Sequence, residues 1–302
     1  MPTNFSALAE KLATAVAVPV TPFAHGSVDL DAHAALLRRM VDGGITVVTP
    51  NGNTGEFYTL TPDERQALVD NTVKAVGADA DVLAGVGLDL PGATEAARQA
   101  RDAGASMVMV HELAHPFVSP QGWLGYLRTI ADAVPELGVV LYVRSTRVGA
   151  EELRRLGELC PNVIGVKYAV PDPMRFAGMV QDAGAERFVW LAGLAEMHAP
   201  SFWTWGARGF TSGIANVDPT VPLNLLNALR AGDSPAVAAI WRGVRAFEEL
   251  RAADGSADNV AVVKEALAQL NLGQRDVRPP SRLLPQAKRE EVARALEALR
   301  SS

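Results

Sequence analysis

Apolar residues in this chain gather in short β-branched runs that alternate with longer amphipathic stretches. Ala15 to Val20 opens as a strand. From Asp29 to Asp42, apolar residues at Leu30, Ala34, Leu37 and Val41 follow helical spacing, which Gly43-Gly44 ends. Ile45 to Thr49 predicts a second strand. Thr61-Pro62-Asp63-Glu64 is a capping-box start with proline in the first turn, for a helix running to Val76. Val82–Val86, Met107–Val110, Gly138–Val143, Val163–Ala169, Phe188–Ala192 and Gly209–Ile214 continue the strand series. Helices fall between them: 93–103, one ending near Val134, 151–159, 174–183 and 196–205.

Eight apolar runs, mostly separated by single helices, predict a (β/α)₈ barrel over residues 1–218. A doubly wound open sheet is the alternative, but no glycine-rich fingerprint follows the first strand. Strand signals stop at Asp218. Residues 219–230, 234–251, 257–270 and 285–299 read as helices, so 219–302 is expected to form a helical C-terminal region.

In such barrels the chemistry lies where strands end. The run Val163-Ile164-Gly165-Val166-Lys167-Tyr168-Ala169 carries one lysine in a strand that reads as buried on both faces. Burial disfavours the ammonium, and a neutral amine in a dry pocket attacks carbonyls. Alternation places Val163, Gly165 and Lys167 on one face, with Gly165 leaving room for a small ligand. Lysine is scarce, occurring at Lys11, Lys74, Lys167, Lys264 and Lys288 within 28 Lys+Arg. The competing reading is a strand-end lysine that snorkels to water.

Gly52-Asn53-Thr54-Gly55-Glu56 offers successive backbone N–H groups for a carboxylate, and a Thr54 hydroxyl for proton relay; an ordinary turn has the same composition. Tyr142 ends the neighbouring strand and can move protons at Lys167, or simply cap the core. Arg144 and Arg147 follow it, each able to pair with a second carboxylate or to sit on the surface. His111-Glu112-Leu113-Ala114-His115 matches a zinc-protease pattern, but it follows a strand and precedes Pro116, so helical i,i+4 spacing fails and no metal site is expected. Cys160 reads as structural, and Phe202, Trp203 and Trp205 as packing.

Bulk properties narrow the function classes. The net charge of −6 over 302 residues does not favour nucleic acid or an anionic membrane as partner. A single cysteine excludes an intrachain disulfide and fits a reducing, cytoplasmic setting. The N-terminus lacks signal-peptide features, and no apolar run has membrane-spanning length.

Together, Gly52-Asn53-Thr54-Gly55-Glu56, Tyr142 with Arg147, Val163 to Lys167, and Val277-Arg278-Pro279-Pro280 resemble the dihydrodipicolinate synthase/N-acetylneuraminate lyase family across almost the whole chain. The resemblance implies a class I Schiff-base lyase or synthase acting on pyruvate or another 2-oxo acid, without metal or other cofactor, in a homo-oligomer. It implies Lys167 as the imine-forming residue, Tyr142 as proton shuttle and Thr54 as its link. It also implies Asn53 and Thr54 as the carboxylate cradle, Arg147 as the distal binder and Ile214 as pocket lining. The sequence departs from the pattern at Asn53 in place of a threonine, at Val143 and Tyr168, and in lacking a tyrosine pair after the fourth strand. A sugar-acid dehydratase of the 5-dehydro-4-deoxyglucarate type is the alternative on the same chemistry; a non-catalytic 2-oxo acid sensor is the alternative from another class.

Overall fold

The computed structural model describes residues 3–300. Strands β1 (Ala15–Ala17), β4 (Val47–Val48), β5 (Asp81–Val86), β6 (Met107–Val110), β7 (Gly138–Val143), β8 (Val163–Tyr168), β9 (Val189–Ala192) and β10 (Gly209–Ser212) are all parallel. They close into a barrel in the order β1-β10-β9-β8-β7-β6-β5-β4. All eight predicted strands are present, several of them shorter than their apolar runs. Helices α2 (Leu30–Asp42), α3 (Pro62–Val76), α4 (Leu90–Ala103), α5 (Pro120–Ala133), α6 (Ala150–Leu159), α7 (Pro173–Ala183) and α8 (Ala195–Thr204) fill the crossovers. The predicted capping box holds α3: the Thr61 hydroxyl accepts from the Glu64 N–H, and the Glu64 carboxylate accepts from the Thr61 N–H.

Some elements have no counterpart in the sequence reading. One is a small antiparallel hairpin, β2 (Phe23–Ala24) with β3 (Ser27–Val28). Another is α1 (Phe5–Leu12), which stoppers the barrel from below. Its Leu12 joins Val16, Leu83, Met107, Met109 and Leu191 in the barrel interior. Between Val139 and Val140 the β7/β8 register shifts, Val139 pairing Val163 and Val140 pairing Gly165. The bulge corrects the expected face of Val163: it packs outward against the helices, while Ile164 and Ala169 pack inward. Gly165 likewise makes no room for a ligand; a Cβ there would lie 2.7 Å from Leu12 Cδ2, so the space belongs to α1.

After β10, α9 (Thr220–Ala231), α10 (Ser234–Ser256), α11 (Asn259–Gln269) and α12 (Gln286–Arg300) pack on the barrel. Leu225, Val244, Phe247, Val263 and Leu296 belong to the same core cluster as the outward faces of the strands. Near its end α10 breaks, with Asp254 and Gly255 both left-handed at φ 52° and 67°. None of the described helices is long and apolar enough to cross a membrane.

A buried ion pair ties this region to the loop after β4. Glu56, left-handed at φ 59°, faces Lys264 of α11, and both side chains are about 1% exposed. Lys264 also donates to the Asp276 carbonyl at 2.6 Å and lies 4.2 Å from the centre of the Phe23 ring. Arg278 flanks the pair and grips Glu64 with two bonds of 2.7 and 2.8 Å. Burial pushes the Glu56 carboxyl up and the Lys264 amine down, each opposed by the partner's charge. Removing one member of such a pair strands the other. Lys264→Met should therefore lower the unfolding free energy by about 3–5 kcal/mol, read from urea unfolding at neutral pH. Glu56→Gln added to it should recover most of the loss.

Candidate active site

Lys167 and Tyr142 are direct register partners on β8 and β7. Parallel pairing at adjacent strand ends brings both side chains inward at the same height. The Lys167 Nζ lies 4.1 Å from the centre of the Tyr142 ring, and the lysine is 4% exposed. No ion pair holds Lys167 among the described residues. Burial, with Arg144 and Arg251 adding like charge, lowers its pKa to about 7. The amine thus reaches neutral pH with a large unprotonated fraction. Burial pushes the Tyr142 phenol up to about 12, so it keeps its proton.

The loop after β4 approaches from the side. Asn53 Nδ2 donates to the Tyr142 hydroxyl at 3.3 Å. The phenol accepts there and retains its own hydrogen for a substrate oxygen. Asn53 Oδ1 is buried without a partner. Thr54 lines the same cavity, and it is Asn53 whose side chain bonds Tyr142. The loop lies close to the barrel because β5 carries Gly85 beneath it: a Cβ there would stand 2.2 Å from the Asn51 carbonyl oxygen. His111 completes the support. It accepts no metal geometry with His115: its Nε2 bonds the Asn51 carbonyl at 2.8 Å and its ring stacks on Phe57, while His115 turns to the Phe117 backbone.

The cavity holds about 390 Å³. Lys167, Tyr142, Asn53 and Thr54 line its inner end, and Arg144 its rim. Gly193 keeps the lysine stem free, since a Cβ there would lie 3.0 Å from Lys167 Cγ. Arg147 stands elsewhere. It lines a small neighbouring recess with Trp123 and Glu152 and donates to the His115 carbonyl at 2.9 Å. Arg144 occupies the nearer place, its guanidinium 5.8 Å from the Tyr142 ring centre and its backbone N–H donating to the Glu112 carboxylate. Ile214 is fully buried in a short 3₁₀ turn (Ile214–Asn216), packed in the barrel–helix core rather than on the cavity wall.

Sequence reasoning missed the roof of the site. Glu248, Arg251, Asn259 and Ser281, all from the C-terminal region, line the cavity. Nearby Glu196 is fully buried, and burial together with the neighbouring Glu248 pushes its carboxyl well up, favouring the protonated form. Nothing local in the sequence marks these residues, which meet the barrel only through tertiary packing. Lys264 did carry a signal, as one of few lysines amid many arginines.

The shifted Lys167 amine also shapes stability. Between pH 7 and 10.5 the unfolded chain binds a proton at this site that the folded chain does not, so the site's contribution to stability rises with pH in that window. Below 7 both states are protonated and the full penalty stands. Lys167→Met should accordingly be more stable than the parent at pH 7 by roughly 2–5 kcal/mol. Urea unfolding at stepped pH should show this gap narrowing toward pH 10.

Residues 11–299 match the model of the dihydrodipicolinate synthetase family. A 4-hydroxy-tetrahydrodipicolinate synthase of Phenylobacterium zucineum is 35% identical, covering 92% of this chain and 94% of the relative. A probable 5-dehydro-4-deoxyglucarate dehydratase of Rhizobium rhizogenes is 28% identical, covering 93% of this chain and 94% of its own. The crystal structure of dihydrodipicolinate synthase from Bacillus clausii superposes with a TM-score of 0.93 at 37% identity, covering 97% and 99% of the two chains. That from Oceanobacillus iheyensis superposes with a TM-score of 0.95 at 31% identity, covering 99% and 100%. With a closed barrel, a buried lysine at the end of its sixth barrel strand and a family match from residue 11 to 299, the chain belongs to the dihydrodipicolinate synthetase family, within the class I Schiff-base lyases.

Proposed function

We propose that this protein is a Schiff-base lyase or synthase of 2-oxo acids, with Lys167 as the covalent residue. The observation that carries the reading is an unpaired lysine, its pKa lowered to about 7, standing 4.1 Å from the ring of a tyrosine that keeps its proton. The Nζ lone pair adds to the C2 carbonyl of the substrate. Tyr142 protonates the resulting oxygen, and a second proton lets it leave as water. The iminium then draws electrons from the adjacent carbon, so a proton or a C–C bond there breaks to give the enamine. The enamine adds to an aldehyde, or a β-hydroxyl leaves with a proton as water. Backbone N–H groups at Asn53 and Thr54 hold the carboxylate next to C2, and the Asn53 amide orients the phenol. In this reading Arg144 rather than Arg147 is the arginine nearer the bound acid.

Water loss from a sugar acid is the second reading. It is favoured by the dehydratase among the relatives and by the position after β6, where His111 packs on Phe57 instead of presenting a tyrosine.

Borohydride reduction in the presence of pyruvate, followed by peptide mapping, tests the covalent step. The adduct should map to Lys167 and vanish in Lys167→Ala; an adduct at another lysine would overturn the reading. Tyr142→Phe should slow turnover by about 10²–10⁴-fold, while pyruvate still binds and is trapped at saturation.

A further inference from the structure

The outer wall of the cavity is built by the C-terminal helices, and the imine chemistry uses it only through the like charge that Arg251 adds near Lys167. Glu248 and Arg251, one helical turn apart on α10, are each about 5% exposed and both line the cavity. Arg251 Nη1 donates to Glu248 Oε1 at 2.6 Å, and Nη2 donates to Asn259 Oδ1 at 3.3 Å. Its Nε has no partner. The guanidinium lies against the backbone after β10 because residue 213 is glycine; a Cβ there would stand 2.3 Å from Nη2. Ser256 and Ser281 add hydroxyls to the same wall.

These groups are stripped of bulk water yet only partly paired. A guanidinium carries five N–H donors, of which two are used, and Glu248 retains free lone pairs. An apolar chain pressed against them would leave them unsatisfied. A second carboxylate would meet Glu248 as well as Arg251, so like charge opposes it. A hydroxyl fits both: it donates to Glu248 and accepts from Arg251 or Asn259. We propose that Arg251, Glu248 and Asn259 form a specificity subsite for the hydroxyl groups of the substrate's carbon chain, making the preferred substrate a polyhydroxylated 2-oxo acid. This rests on the imine reading, because Lys167 fixes C2 at the inner end of the same cavity.

The test uses borohydride trapping at Lys167 with three compounds: pyruvate, 2-oxohexanoate, and 3-deoxy-2-oxogluconate, which has the same carbon number but is hydroxylated. The readout is the ratio of half-saturating concentrations, hydroxylated acid over plain acid. In the double variant Glu248→Leu/Arg251→Met neither member is left as an unpaired buried charge. The ratio should rise roughly tenfold or more relative to the parent, since a site built to bond hydroxyls loses its discrimination with its donors. Pyruvate, too short to reach the wall, should still be trapped at Lys167 and so reports an intact fold; the loss of Arg251's like charge beside the amine acts on all three acids and cancels in the ratio. Asn259→Ala, which leaves the ion pair in place, should raise the ratio several-fold. An unchanged ratio in variants that still trap pyruvate would overturn the subsite. Failure of the parent to trap pyruvate at Lys167 would instead overturn the imine chemistry beneath it.

Discussion

A single amine kept out of water without a counter-ion is the constraint around which this molecule is built. In bulk solvent the ammonium of Lys167 would hold its proton far above neutral pH; enclosed by the barrel, with two arginines nearby, it gives that proton up at about 7. That condition requires closure from every side. The stopper helix α1 shuts the lower end through Leu12, the paired strands β7 and β8 set the phenol beside the amine, and the C-terminal helices roof the upper end. Loss of any one of these would hydrate the nitrogen further and move its pKa back toward the ordinary lysine value.

The same chain shows the opposite treatment of a second buried lysine. Lys264 is as deeply enclosed, yet it faces Glu56 and a backbone carbonyl. A paired ammonium is a strut, whereas an unpaired neutral amine keeps a lone pair free for chemistry. The strut holds the loop that presents Asn53, and Asn53 in turn orients Tyr142. Structure and chemistry are therefore connected through one short segment, residues 51–56, which is fastened at Asn51 by His111 and at Glu56 by Lys264.

How much of this was legible in the sequence depended on how local each cause is. Strand composition and helix spacing are local, so the eight strands and the crossover helices followed from residue order. Lys167 stood out because a charge in a buried run contradicts its surroundings. The face of Val163 was misjudged because strict alternation ignores a bulge, and a bulge depends on the partner strand. Gly165 was assigned to a ligand because α1, which fills that space, lies more than 150 residues earlier in the chain. From the residues alone Arg144 and Arg147 were equal candidates and the resemblance favoured Arg147, whereas the loop carries Arg144 to the cavity and Arg147 to a neighbouring recess. Arg251 and Asn259 look like ordinary helix-surface residues until the helices are packed onto the barrel.

The strut between Glu56 and Lys264 spans 208 positions of sequence. At ribosomal speeds the loop emerges roughly 10–40 seconds before its anchor is made. The barrel strands are complete by Ser212, yet Glu56 has no counter-ion until α11 is synthesised. A nascent chain can thus carry every strand of the barrel and still lack the C-terminal wall of the cavity and the buried partner of Glu56. Full enclosure of the cavity that holds Lys167 therefore waits on α10 and α11, which follow the last barrel strand.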